Sequence, residues 1–212
     1  VGLWGRIGDV DAPAGETADR DRGGRPAVTT AHGLAAVAQE LFLRQGFDET
    51  TVEDIAAAAG IGRRTFFRYF GTKADVLFVE SAAELDTLGR ELSAAPAGED
   101  YRTVVTGAVV AALRVLPTDR EWALQRAQLI LSVPALQARA ALVFARWRGV
   151  AAAYVAGRFR GEDLFARAVG HAVLAATLAA HEQWIAHPDD DLEQILRDVL
   201  TLLLPGRPAP GQ

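Results

Sequence analysis

The sequence contains no cysteine and no methionine, and a single lysine, Lys73, among its 22 basic residues. Without cysteine there can be no disulfide framework, thiolate-bound zinc, iron–sulfur cluster or thiol nucleophile, and the lack of bridges suits a reducing cytoplasm. No run of about 18 uninterrupted apolar residues occurs, because Arg, Glu, Gln or His interrupts even the Ala-rich stretches, so no membrane span is expected. The first residues set Asp9, Asp11, Glu16 and Asp19 among Gly, Pro and Ala. That pattern matches neither a signal peptide nor an amphipathic transit segment, and a soluble, cytoplasmic protein is expected. A chain that opens on Val1 without any methionine reads as the product of an alternative start codon, with the true start within the first 28 residues. No run alternates with period two, so no sheet is expected. No Ser–His–Asp signature, phosphate-binding Gly loop or His/Glu metal motif appears, which leaves an enzyme, a bound metal or a cofactor without support.

What is present is 212 residues, half of them hydrophobic, with a net charge of −5. That net acidity argues against a surface that coats nucleic acid throughout, but an average can conceal a local basic patch. The charge is −3 over residues 1–19, +1 over 20–75 and −3 over 76–212. Between Ala56 and Ala74 lie Arg63, Arg64, Arg68 and Lys73 with no acid among them.

The expected fold is all-α. Residues 1–28, rich in Gly, Pro, Asp and Arg, are expected to be a disordered arm, and 205–212 a Pro/Gly tail. Between them, Thr29 or Thr30 caps a first helix with Leu34, Val37, Leu41 and Phe42 on one face, and Gly46 ends it. Thr51 caps a short second helix with Asp54 three residues on, Ala59-Gly60-Ile61-Gly62 breaks it, and a third short helix runs from about Arg63 to Tyr69. Thr72, with Asp75, caps a fourth helix expected to continue to Ala95. Further helices are expected near 100–116, 119–132, 134–159, 162–186 and 189–204.

Two short helices joined by a Gly-containing turn form a helix-turn-helix pattern. A reading helix must be short enough for the major groove, polar at its N-terminal end and apolar behind. Phe66 and Phe70 supply the rear, leaving Arg64, Thr65 and Arg68 to face outward. Arg63 and Arg64 can donate bidentately to guanine, Thr65 can meet a base edge, and Arg68 and Lys73 suit phosphates. The plainer alternative is a solvated helix face. Arg20, Arg22 and Arg25 offer either a DNA-reaching arm or mere solubility.

The segment TTVEDIAAAAGIGRRTFFRYFGTKADVL, residues 50–77, resembles the DNA-binding domain of the TetR (tetracycline repressor) family, and the likeness extends over about 29–78. It implies that Thr51 and Lys73 meet phosphates while Arg63, Arg64, Thr65 and Arg68 face the groove. Gly62 stands where a capping hydroxyl is usual, Phe67 where a Tyr is frequent, and Tyr69 where a His is frequent; Phe67 and Tyr69 belong to the expected interface. The resemblance further implies that 79–204 form a helical effector-binding and dimerisation domain, and that a homodimer binds a near-palindromic operator. In the last two helices Val169, Val173, Ala176, Thr177 and Ala180 make a stripe of small residues, and Leu192, Ile195, Leu196, Val199, Leu202 and Leu203 a broad apolar one.

The segment LILSVPALQARAALVFARWRG, residues 129–149, resembles a subgroup described as binding acyl-CoA-like ligands. That likeness implies a small hydrophobic effector, with Trp122, Leu129, Phe144, Trp147 and Leu174 lining a tunnel and Arg126, Arg139 or Arg146 meeting an acidic head group. Ordinary core packing is the alternative for each aromatic. His171 is expected to be a core or pocket hydrogen-bonding group, since it lies ten residues from His181, off the three- or four-residue step that stacks ligands. Asp189, Asp190 and Asp191 read as a helix cap. A regulator of transcription is thus expected; a non-catalytic carrier or sensor of acyl ligands is the competing class.

Overall fold

A computed structural model describes residues 30–207, so the expected arm, with Arg20, Arg22 and Arg25, and the end of the tail lie outside the described residues. No strand occurs among the described residues. The N-terminal unit is built by α1 (Ala31–Gln45), α2 (Val52–Ala58) and α3 (Arg63–Tyr69). Thr30 caps α1 by accepting the Gly33 amide at 3.0 Å, and Gly46 ends it at φ 94°, a conformation that a Cβ would strain. At α2 the Asp54 amide donates to the Thr51 hydroxyl (3.1 Å) while the Thr51 amide donates to the Asp54 carboxylate (2.9 Å), a reciprocal capping box. The Thr51 hydroxyl, and after it the Thr51 amide, donate to the Asp54 carboxylate and hold that carboxyl below its ordinary range, because they favour its ionised form. Leu34, Phe42, Ile55, Phe66, Phe70, Val76 and Leu77 close into one small core.

The fourth helix does not run unbroken from Thr72. Lys73–Phe78 winds as a tight 3-10 segment, and α4 (Ser81–Ala94) starts afresh after Val79 and Glu80. The tighter winding buries the neighbouring Val76 and Leu77 together in the N-terminal core, while Asp75 is held by Thr72 on one side and by Arg139 (2.5 Å) on the other.

The C-terminal body comprises α5 (Tyr101–Ala112), α6 (Arg120–Ser132), α7 (Pro134–Arg158), α8 (Asp163–Ala186) and α9 (Leu192–Leu203). α5 stops four residues short of expectation, and the chain continues non-helically to a 3-10 turn at Pro117–Asp119. The chain bends by 102° between α6 and α7, where Pro134 begins the new helix. Asp191 caps α9 by accepting the Glu193 amide at 3.0 Å. α8 has the length and mean hydropathy, 1.3, of a membrane span. Its apolar side, including Val169, Val173, Ala176, Ala180 and Trp184, is nonetheless buried among the other helices, as befits a core helix. Gly170 lets α7 and α8 touch: a Cβ there would lie 2.7 Å from the Arg148 carbonyl oxygen.

The two units share contacts. Leu129 and Leu136, from α6 and α7, complete the N-terminal core, and the buried Gln39 of α1 donates to the Trp122 carbonyl of α6 at 3.0 Å.

Candidate nucleic-acid interface and effector cavity

α3 is seven residues long and amphipathic in the sense a reading helix requires. Phe66 is fully buried, and Phe70 packs beside it with ring centroids 5.7 Å apart. The opposite side leaves Arg63, Arg64, Phe67 and Arg68 exposed, with Thr65 and Tyr69 partly so. Arg64 has no ion pair or hydrogen bond among the described residues, so its guanidinium is available to a base edge or phosphate. Arg63 pairs with Glu53 of α2 at 3.0 Å and lies over the Phe67 ring. That contact is solvent-exposed on both sides and therefore exchangeable. Arg68 donates to the Tyr69 hydroxyl at 3.3 Å and lies over its ring. Gly62 precedes the helix with no side-chain cap.

Two of the residues expected to meet phosphates are engaged within the chain. The Lys73 ammonium donates to the carbonyls of Phe47 (2.7 Å), Asp48 (3.2 Å) and Thr50 (2.9 Å), and sits 4.5 Å from the Phe47 ring centroid. An ammonium has three N–H groups, so Lys73 ties the α1–α2 turn and offers a phosphate its charge alone. The Thr51 hydroxyl donates to Asp54 at 2.6 Å and is likewise part of a cap.

Below this unit a cavity of about 440 Å³ opens between α4, α6, α7, α8 and the segment after α5. Of the residues expected there, Trp122, Arg126, Phe144, Trp147 and Leu174 line it. Leu129 does not: at its level of α6 the facing element is the N-terminal unit, into whose core it packs. His171 does not either. It is exposed on α8, whose inward face carries Val173, Leu174, Thr177, Leu178 and His181. His32 of α1 lines the cavity, and the histidine that α8 contributes to the wall is His181, whose Nδ1 lies 2.8 Å from the Thr177 carbonyl. Desolvation is the main reason its pKa is depressed, with a smaller push from the Arg126 charge. The heptad step from Leu174 to His181 carried that signal in the sequence.

Arg126 is not free for a head group. Its guanidinium meets Glu80 at 2.9 Å and Glu84 at 3.0 Å, and Glu80 reaches His32 of α1 at 3.8 Å. Arg139 is paired with Asp75, and Arg146 is exposed and outside the lining. Glu80 and Glu84 are not marked as site residues by the sequence, because they fall in a stretch expected to be one continuous helix and their partner Arg126 lies on another.

Comparison with known proteins places both units. Residues 34–79 match the family model described as bacterial regulatory proteins, tetR family, and residues 99–208 match the MftR C-terminal domain. The chain is 35% identical over 181 residues to the mycofactocin biosynthesis transcriptional regulator MftR of Mycobacterium tuberculosis, spanning 82% of this chain and 89% of that one. Among solved structures, a TetR-family regulator from Syntrophomonas wolfei superposes with a TM-score of 0.59 at 17% identity, covering 81% of this chain and 91% of the other. The fatty acid degradation regulator FadR of Bacillus halodurans superposes at 0.58 and 17% identity, covering 83% and 95%.

Proposed function

Since the chain belongs to the tetR family of bacterial regulatory proteins, as a DNA-binding transcriptional regulator, we propose that it acts as a cytoplasmic homodimeric repressor released by a small hydrophobic effector. The observation that carries the reading is the pairing of an outward-facing Arg64 on a short, rear-anchored α3 with a large, mostly apolar cavity in the body behind it. Exposed apolar side chains on α8 and α9, Leu164 at 82% and Leu202 at 81%, support pairing through these helices. Two copies would set their α3 helices about 34–36 Å apart, one turn of the duplex, and read a near-palindrome.

The cavity wall is joined to the N-terminal unit through Arg126–Glu80–His32, and α7 is joined to it through Arg139–Asp75. An effector that prefers one arrangement of these contacts shifts the spacing of the two α3 helices by its differential affinity for the two dimer states. The apolar lining, the acyl-ligand likeness of residues 129–149 and the fold shared with a fatty acid degradation regulator favour an acyl-type molecule. The reading is tested by footprinting the purified protein on the DNA beside its gene, then titrating acyl-CoA thioesters. Protection of a near-palindrome that the thioester abolishes is the expected result. Protection of no site would contradict the regulator, and protection indifferent to every acyl ligand would contradict the effector.

A further inference from the structure

Among the exposed residues of α3, Arg63, Arg64 and Arg68 are cations and Phe67 alone is apolar, 43% exposed. Solitary apolar side chains are ordinary on a protein surface, but this one stands in the middle of the face offered to DNA. Its ring is perpendicular to that of Phe66 (87°), with centroids 5.4 Å apart, and Phe66 itself is fully buried. The core thus fixes where the Phe67 ring stands without taking it in. The Arg63 guanidinium lies over the same ring, 5.4 Å from its centroid, while one of its Nη atoms meets Glu53 at 3.0 Å. A guanidinium has five N–H groups, so Arg63 keeps donors for a base edge while it covers the ring.

Resting on the reading of α3 as the helix that enters the groove, we propose that Phe67 determines specificity by selecting thymine through its C5 methyl, at the base pair beside the one whose guanine Arg63 reads. A phenyl ring has no hydroxyl or amide to offer, so phosphate oxygens and the polar base edges gain nothing from it. The thymine methyl is the apolar group that base edges present in the major groove, and cytosine and uracil carry only hydrogen at that position. Arg63 and Phe67 stand one helical turn apart with their groups in contact, and stacked base pairs follow one another at about 3.4 Å, so the two contacts fall on neighbouring pairs. Each half-site therefore holds a thymine next to a G·C pair, and a homodimer meets that step twice.

The test starts from a duplex selected out of a random library by the purified full chain. The duplex is remade with deoxyuridine at one thymine position of both half-sites at a time, which removes a methyl and keeps every base-pair hydrogen bond. Affinity is read by fluorescence anisotropy. At one thymine beside a G·C pair the native chain is expected to lose about fourfold per half-site and about fifteenfold over both, the scale of one methyl returned to water. Phe67→Ala is expected to bind the thymine and uracil duplexes alike, whereas Phe67→Leu, which keeps an apolar contact, still prefers thymine. Indifference of the native chain to uracil at every position overturns the proposal, and that result needs no variant, so it holds even if Phe67→Ala fails to fold. A preference for thymine that survives in Phe67→Ala also overturns it, since the methyl then belongs to another side chain such as Thr65. A sensitive thymine with no G·C pair beside it overturns the pairing with Arg63. Selection of no sequence at all overturns the DNA-reading role of α3 itself and the specificity with it.

Discussion

At the scale of single residues, the basic cluster between Ala56 and Ala74 separates into different tasks. Arg64 faces outward without a partner among the described residues, Arg63 pairs with Glu53 in an exposed contact, and Lys73 is part of the scaffold. Lys73→Met is expected to destabilise the protein by about 2 kcal/mol, since three backbone carbonyls lose a charged donor. Thermal melting measures the loss, and a variant as stable as the native chain would return Lys73 to the role of a free phosphate contact. His181 makes a pH prediction. Its folded-state pKa lies below the ordinary histidine value, so below pH about 6.5 the unfolded chain binds more protons than the folded one. Stability is full above that pH and falls as the pH drops through it toward the folded pKa. His181→Gln should flatten the melting temperature between pH 7 and 5, a window well above that of the Asp54 carboxylate. The residue types at the reading helix were legible in the sequence, because exposure there follows from helix phase behind Phe66 and Phe70. The partners of Lys73 and Arg126 were not, since each is met by groups distant in the chain or on another helix.

At the scale of elements, local signals and tertiary demands part at identifiable places. The caps at Thr30, Thr51 and Asp191 and the stop at Gly46 were readable because each depends on residues within four positions of one another. The break after Phe78 was not, because what imposes it is the burial of Val76 and Leu77 together with the Asp75–Arg139 contact to α7. The early end of α5 is of the same kind: Leu113–Leu116 leave the helix to form part of the cavity wall. His171 stands exposed rather than in the core or pocket because it is out of phase with the inward face of α8, whereas His181, seven residues on from Leu174, shares that face. The α7–α8 contact gives a direct test of packing. Gly170→Ala would press a methyl against the Arg148 carbonyl and the Ala152 Cβ at 3.2 Å, neither of which can swing away. A loss of about 1–3 kcal/mol in denaturant unfolding is expected, and a neutral substitution would mean that the two helices can separate freely.

At the scale of the whole molecule, the charge of −5 describes two parts with opposite duties. The body and the first residues are acidic, and the helix-turn-helix carries its cations on the outward face of α3. Such a molecule approaches DNA by one edge and is repelled by the rest. The central claim is that this edge reads sequence, with Arg64 as a base-reading group. The most direct measurement is fluorescence anisotropy of the purified protein on the DNA beside its own gene and on a scrambled duplex of equal length, from 50 to 200 mM salt. The native chain is expected to prefer its own site at every salt concentration, with affinity falling by roughly three orders of magnitude across the range. Arg64→Ala is expected to lose about 1–3 kcal/mol on that site while binding the scrambled duplex almost unchanged. Equal affinity of the native chain for both duplexes, or an Arg64→Ala variant that keeps the full preference, would contradict the account.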